Sequence, residues 1–99
     1  MEGIGPRTIL VEHYWPGVTI DRFEAATKAV DEAVADLAAR GVRIRLLRSW
    51  FVPEDEAAFC VFEAESRSVV EEALRRAAVP FERVLDAPEV VFTNIRRRS

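Results

Sequence analysis

With one histidine, one cysteine and one tyrosine in 99 residues, this chain is short of the side chains on which most catalysis and metal binding depend. The lone Cys60 cannot close an intrachain disulfide, so no disulfide framework holds the fold, in keeping with a reducing compartment. No apolar run approaches the roughly 20 residues that span a bilayer. The opening MEGIGPR has no apolar signal-peptide core, so the expectation is a cytoplasmic protein with no membrane partner. The formal charge is −3 with basic residues interleaved among acids, which leaves no broad positive field for nucleic acid. Three arginines at 96–98 are the exception and read as a basic tail over 96–99. Phosphate loops, nucleotide or flavin fingerprints and nucleophile elbows are all missing, and Ser49, Ser66 and Ser68 have no histidine neighbour in the sequence. Glycine and proline do not gather into a linker either. The reading is therefore a single domain over 1–99 with a loose leader at 1–6.

What is present is a globular balance, 49% hydrophobic and 31% charged, enough for one core. Residues 42–64, VRIRLLRSWFVPEDEAAFCVFEA, form the densest strand signal. Two apolar runs flank Pro53 and the acids Glu54, Asp55 and Glu56, which makes a hairpin with a solvated turn. Before it, residues 7–15 read as a strand broken by Pro16-Gly17. Thr19 then caps a helix over 20–40, whose apolar positions Phe23, Ala26, Val30, Ala33, Val34 and Leu37 recur at spacings of three and four. Gly41 ends that helix. After the hairpin, either Ser66 or the Ser68/Glu71 box starts a second helix running to about residue 78, with Val69, Val70, Ala73, Leu74 and Ala77 inward. Residues 81–85 make a fourth strand and 89–95 a further extended piece.

The order β-α-β-β-α-β predicts an α+β, ferredoxin-like domain, and right-handed crossovers give a four-stranded antiparallel sheet of order 4-1-3-2 with both helices on one face. The other face keeps apolar residues however the pleat falls, with Leu47 and Phe51 in one set and Leu46 and Trp50 in the other. Such a patch exceeds what a soluble monomer usually exposes, so the expectation is a homodimer closing face to face as a dimeric α/β barrel.

Four residues carry candidate chemistry. His13 is the natural neutral-pH base and a favoured ligand for nickel, copper or zinc, or else a structural histidine. Glu12 points to the opposite pleat face. The strand beside them brings Cys60, a thiol donor or a small buried hydrophobe, and Glu63, a carboxylate in an apolar run that calls for a partner among Arg43, Arg45 and Arg48. Glu12, His13, Cys60 and Glu63 are thus the candidate metal donors, and Glu12, His13 and Glu63 the candidate acid/base groups of an enzyme. Tyr14, Trp15, Trp50 and Phe51 gather near one end of the sheet, either as the wall of an apolar ligand pocket or as interface aromatics.

The stretches LVEHYWPGVT, RLLRSWFVPEDE, FCVFEA and AVPFERV, in this order and with these gaps, resemble a family of small actinobacterial ferredoxin-like domains whose best-known member binds nickel. The likeness covers roughly residues 8–86. It implies a dimer and nickel held by nitrogen and oxygen ligands, with Glu12, Ser49, Cys60 and Glu63 at positions that match the family's motif and His13 at one that varies. Related dimeric barrels include cofactor-free monooxygenases and cyclases on apolar substrates. Three readings follow: a dimeric binding protein for a divalent transition metal such as nickel, a small cofactor-free enzyme, or a scaffolding protein with no ligand.

Overall fold

The computed structural model describes residues 7–86, so the leader at 1–6, the extended piece at 89–95 and the tail at 96–99 lie outside the described residues. Along the chain come β1 (Arg7–Tyr14), α1 (Ile20–Ala39), β2 (Ile44–Val52), β3 (Ala57–Ala64), α2 (Arg67–Arg76) and β4 (Arg83–Asp86). The sheet order is β2-β3-β1-β4 with every neighbouring pair antiparallel, which is 4-1-3-2 read from the other edge. The ferredoxin-like α+β arrangement expected from the sequence is the one present.

Each helix starts and stops for local reasons. The Thr19 hydroxyl accepts the Arg22 N–H at 3.2 Å and opens α1, and the Ser66 hydroxyl accepts the Val69 N–H at 3.3 Å and opens α2. Ser68, the rival start, lies one residue inside α2 with its hydroxyl 3.0 Å from that of Ser66. Both helices close alike. Past α1, Gly41 at φ 91° bonds the Ala38 carbonyl and Val42 the Leu37 carbonyl. Past α2, Ala78 at φ 59° bonds the Arg75 carbonyl and Val79 the Leu74 carbonyl. This paired closure is the Schellman motif, and its left-handed position usually belongs to glycine because a Cβ is crowded there.

The hairpin turns through a single 3-10 turn at Pro53–Asp55, with proline at its first position where no N–H is needed and Glu56 left-handed at φ 51°. Between Leu46 and Arg48 the register of β2 slips, so two residues of β2 oppose one of β3. Simple alternation along β2 therefore fails. Ile44 and Leu46 face the helices before the bulge, Ser49 and Phe51 face them after it, and Trp50 turns to the other side. This corrects the division of β2 into one odd and one even set.

The core lies between sheet and helices. Ile9, Val11, Phe62, Ala64 and Val84 from the sheet meet Val30, Ala33 and Leu37 of α1 and Val70, Ala73 and Leu74 of α2. Burying each of the larger aliphatic and aromatic side chains contributes roughly 1.5–3 kcal/mol. Strand β4 begins two residues later than the apolar pattern suggests. Phe81 and Glu82 belong instead to the approach, where Phe81 packs on the core and the Glu82 N–H donates to the Glu12 carbonyl at 2.7 Å.

Candidate functional site

Strand alternation decides what each candidate residue can reach. On β1, Ile9, Val11 and His13 are buried on the helix side, while Thr8, Leu10, Glu12 and Tyr14 face the open side. Glu12 and His13 fall on opposite faces, as their adjacency requires.

His13 sits at the end of the core, 4% exposed and opposite Ala58. Its Nδ1–H donates to the Pro80 carbonyl at 2.8 Å. Because a carbonyl only accepts, the neutral ring carries its proton on Nδ1 and keeps a lone pair on Nε2, which is buried without a partner. Burial lowers the pKa of this imidazole, and the Pro80 carbonyl, which would favour the charged form, offsets only part of that. Cys60 is also on the helix side, opposite Val11, about 7 Å along the strand from the row of His13. Burial first, and the nearby Asp31 carboxylate second, push its thiol up to about 12. The thiol is therefore protonated and a poor ligand or nucleophile at neutral pH.

Glu12 and Glu63 share the open face but not a site. Glu12 pairs with Phe59 in register and Glu63 with Thr8, a separation of four residues or roughly 13 Å along β3. Each carboxylate already has an arginine. Arg83 of β4 grips Glu12 with three N–H···O contacts of 3.1–3.2 Å, and Arg45 of β2 lies 3.3 Å from Glu63. The role of Arg83 was not visible in the sequence. Strand order places β4 beside β1, but only the register Arg83↔Glu12 reveals the pair.

The aromatic set divides in the same way. Trp50 stacks on Phe59 on the open face with ring centroids 5.5 Å apart. Phe51 faces the helices and stacks on Phe23 of α1 at 5.2 Å. Tyr14 is 61% exposed, and Trp15 is half-buried just past β1, its N–H donating to the Glu56 carbonyl. Tyr14, Trp15, Trp50 and Phe51 thus do not wall one pocket within a single chain. A shallow groove lined by Val42, Arg43, Ile44, Arg45 and Glu63 lies instead beside the start of β2. Ser49 is half-buried on the helix side, opposite Cys60.

A nickel ion prefers imidazole, with carboxylate and water completing its shell. The donors of one chain do not fit such a centre: His13 and Cys60 lie on one face of the sheet, Glu12 and Glu63 on the other. Among the described residues no three His, Cys, Asp or Glu side chains converge as a metal ion would need.

What remains is a sheet face that the helices leave open. Leu10, Trp50, Val52, Phe59, Val61 and Leu85 run across it, with Glu12–Arg83 on one flank and Glu63–Arg45 on the other. No helix among the described residues is long and apolar enough to cross a membrane.

Comparison with known proteins gives two matches. The model of a family described as "Nickel responsive protein SCO4226-like" matches residues 10–86. The crystal structure of SCO4226 from Streptomyces coelicolor A3(2) superposes with a TM-score of 0.68 at 22% identity, covering 82% of this chain and 95% of that one, and shows the same fold. Among curated proteins none matches.

Proposed function

Because the chain belongs to the SCO4226-like family of nickel-responsive proteins, we propose that it is a homodimeric binding protein for a divalent transition metal, nickel foremost, with the open sheet face as its working surface. The observation that carries this reading is the composition of that face. The Trp50–Phe59 stack and the half-buried Leu10 and Leu85 lie on the side away from the helices between two carboxylate–arginine pairs, with Val61 among them only 1% exposed. The part of these apolar side chains still in contact with water is stabilised by burial, and two copies closing face to face as a dimeric α/β barrel bury it while covering neither helix. Closure also places two copies each of Glu12 and Glu63 in one interface, which a single chain cannot do. The protein acts within the cytoplasm.

A second reading has one observation in its favour. The Trp50–Phe59 stack offers an apolar wall to a small apolar molecule held inside the barrel. A cofactor-free enzyme of that kind would need Glu12 or Glu63 released from its arginine to act as acid or base. The scaffolding reading requires no ligand at all.

Sedimentation equilibrium at micromolar concentration, with nickel analysis of the protein after incubation and desalting, tests the first reading. The wild type should run as a dimer and retain metal. Trp50→Glu, folded by circular dichroism, should run as a monomer. A monomeric wild type removes the interface, and a metal-free wild type removes the nickel.

A further inference from the structure

Strand β4 is the weakest-held part of the described sheet, and two adjacent residues of β1 do most of the holding. It has four residues where the other strands have eight or nine, and among the described residues it pairs with β1 alone. Every residue of β3, by contrast, has a strand partner on both sides. Glu12 and His13 fasten β4 and its approach from three directions. On the open face the Glu12 carboxylate accepts the Arg83 N–H groups at 3.1–3.2 Å. Along the strand edge the Glu12 carbonyl accepts the Glu82 N–H at 2.7 Å. On the helix side the His13 Nδ1–H donates to the Pro80 carbonyl at 2.8 Å. Of the side chains in 79–86 only Val79 and Val84 are buried. The segment leaves α2 through Ala78 at φ 59°, a conformation that a residue with a Cβ keeps only while its surroundings impose it.

We propose that residues 79–86 open as a unit of their own, swinging about Ala78 while β1, β2 and β3 stay paired, and that acid is the signal that opens them. In the closed form the His13 ring makes one donor bond, and its Nε2 is buried with no partner among the described residues. A second proton there would be a buried donor without an acceptor. Its neighbours offer no counter-charge. Ala58 opposite it, Phe51 beyond Ala58, and Val79, Pro80 and Phe81 of the approach do not titrate. Asp21, Arg22, Glu24 and Lys28 of α1 and Arg75 and Arg76 of α2 are exposed, as are Glu56 and Glu82. Glu12 and Tyr14 point to the other face, and burial and the Pro80 carbonyl are what move the pKa of the ring. Once the segment opens, the imidazole is hydrated and takes its proton at the ordinary value. A proton bound by the open form and refused by the closed one makes acid a ligand for opening. Between pH 7.5 and pH 5.5 the open population should rise several-fold, with about tenfold as the limit for a closed ring that stays neutral. Opening bares the outer edge of β1 over 9–12, a row of backbone groups on which an extended segment can pair.

Hydrogen exchange followed amide by amide in NMR spectra of the full chain tests this, at fixed protein concentration and with each rate divided by the intrinsic rate at that pH. The hydrogen-bonded amides of 82–86 should be protected at least tenfold less than those of 57–64. Their exchange should also be nearly indifferent to dilute urea, which speeds exchange in β3 because β3 opens only with the whole fold. Equal protection and equal urea dependence in the two segments would mean that 79–86 does not open alone, and would overturn the proposal. Protection of 82–86 should fall several-fold from pH 7.5 to pH 5.5 in the wild type, and an unchanged value removes acid as the signal. In His13→Gln, with native circular dichroism, that fall should vanish; a fall that persists shows that His13 is not its source. Arg83→Gln loosens the grip on the open face only. It should lower the protection of 82–86 at both pH values and keep the fall between them, and unchanged protection in this variant counts against the fastening described.

Discussion

The buried imidazole of His13 makes the fold sensitive to acid in a way that a single substitution isolates. Burial depresses the folded-state pKa below the ordinary 6.5. As pH falls, the unfolded chain therefore takes up the proton first. Stability from this group is fully present above about pH 6.5. It is lost at a slope approaching about 1.4 kcal/mol per pH unit as pH falls through the window between the unfolded and the depressed folded value. The structural cause is specific: protonation would make Nε2 a buried donor with no acceptor, worth about 1–3 kcal/mol for a neutral group and more for a charged one. In His13→Gln the carboxamide can still donate to the Pro80 carbonyl but cannot titrate. Urea unfolding from pH 8 to pH 5, at fixed protein concentration, should show the wild type ahead near neutrality by about 1 kcal/mol. That lead should shrink or reverse by pH 5, while the carboxylates common to both proteins cancel in the difference. Parallel curves across the whole range would refute the assignment of a neutral, buried His13.

Two further substitutions test the packing and the helix closures. Ala78→Gly relieves a Cβ at φ 59° in the closure of α2, where the left-handed conformation costs a non-glycine residue roughly 1–2 kcal/mol, partly offset by the greater freedom of glycine in the unfolded chain. A thermal melt should rise by a few degrees, and a fall would show that Ala78 is not strained. Phe62→Ala empties the centre of β3, where the ring is fully buried, and should cost about 3–5 kcal/mol. Chemical denaturation showing a loss below about 1 kcal/mol would mean that the core collapses around the gap.

Much of the fold was legible because its signals are local. Thr19, Gly41, Ser66 and Pro53 sit where capping and turn chemistry place them, and the boundaries of β3 and the start of α1 coincide with the apolar pattern. The closure of α2 was harder to read since alanine stands where glycine would have announced it. The candidate site was far less legible. That Glu12 and His13 diverge follows from adjacency, yet nothing in the residues of β2 marks the slip between Leu46 and Arg48 that sends Trp50 and Phe51 to the faces they occupy. Trp50 and Phe51, being adjacent on one strand, take opposite faces in any register, and the slip decides only which of them faces the helices. The grip of Arg83 on Glu12 depends on a register 71 residues apart in sequence. A strand pattern can name the neighbouring strand but not the opposing residue.

The slip in β2 also bears on a hazard of the fold. Among the described residues, the order β2-β3-β1-β4 leaves the nine residues of β2 as an outer strand of the sheet. An outer strand that is long and regular offers a row of unpaired backbone groups on which another chain can lay itself down, the first step towards ribbon-like aggregates. The extra residue interrupts that row near its middle and increases the local twist, while Arg45 and Arg48, both exposed, set positive charge on either side of the interruption. A second copy is thereby discouraged from joining edge to edge and extending the sheet without limit. The proposed association through the broad face would instead close on a pair, and growth would stop at two.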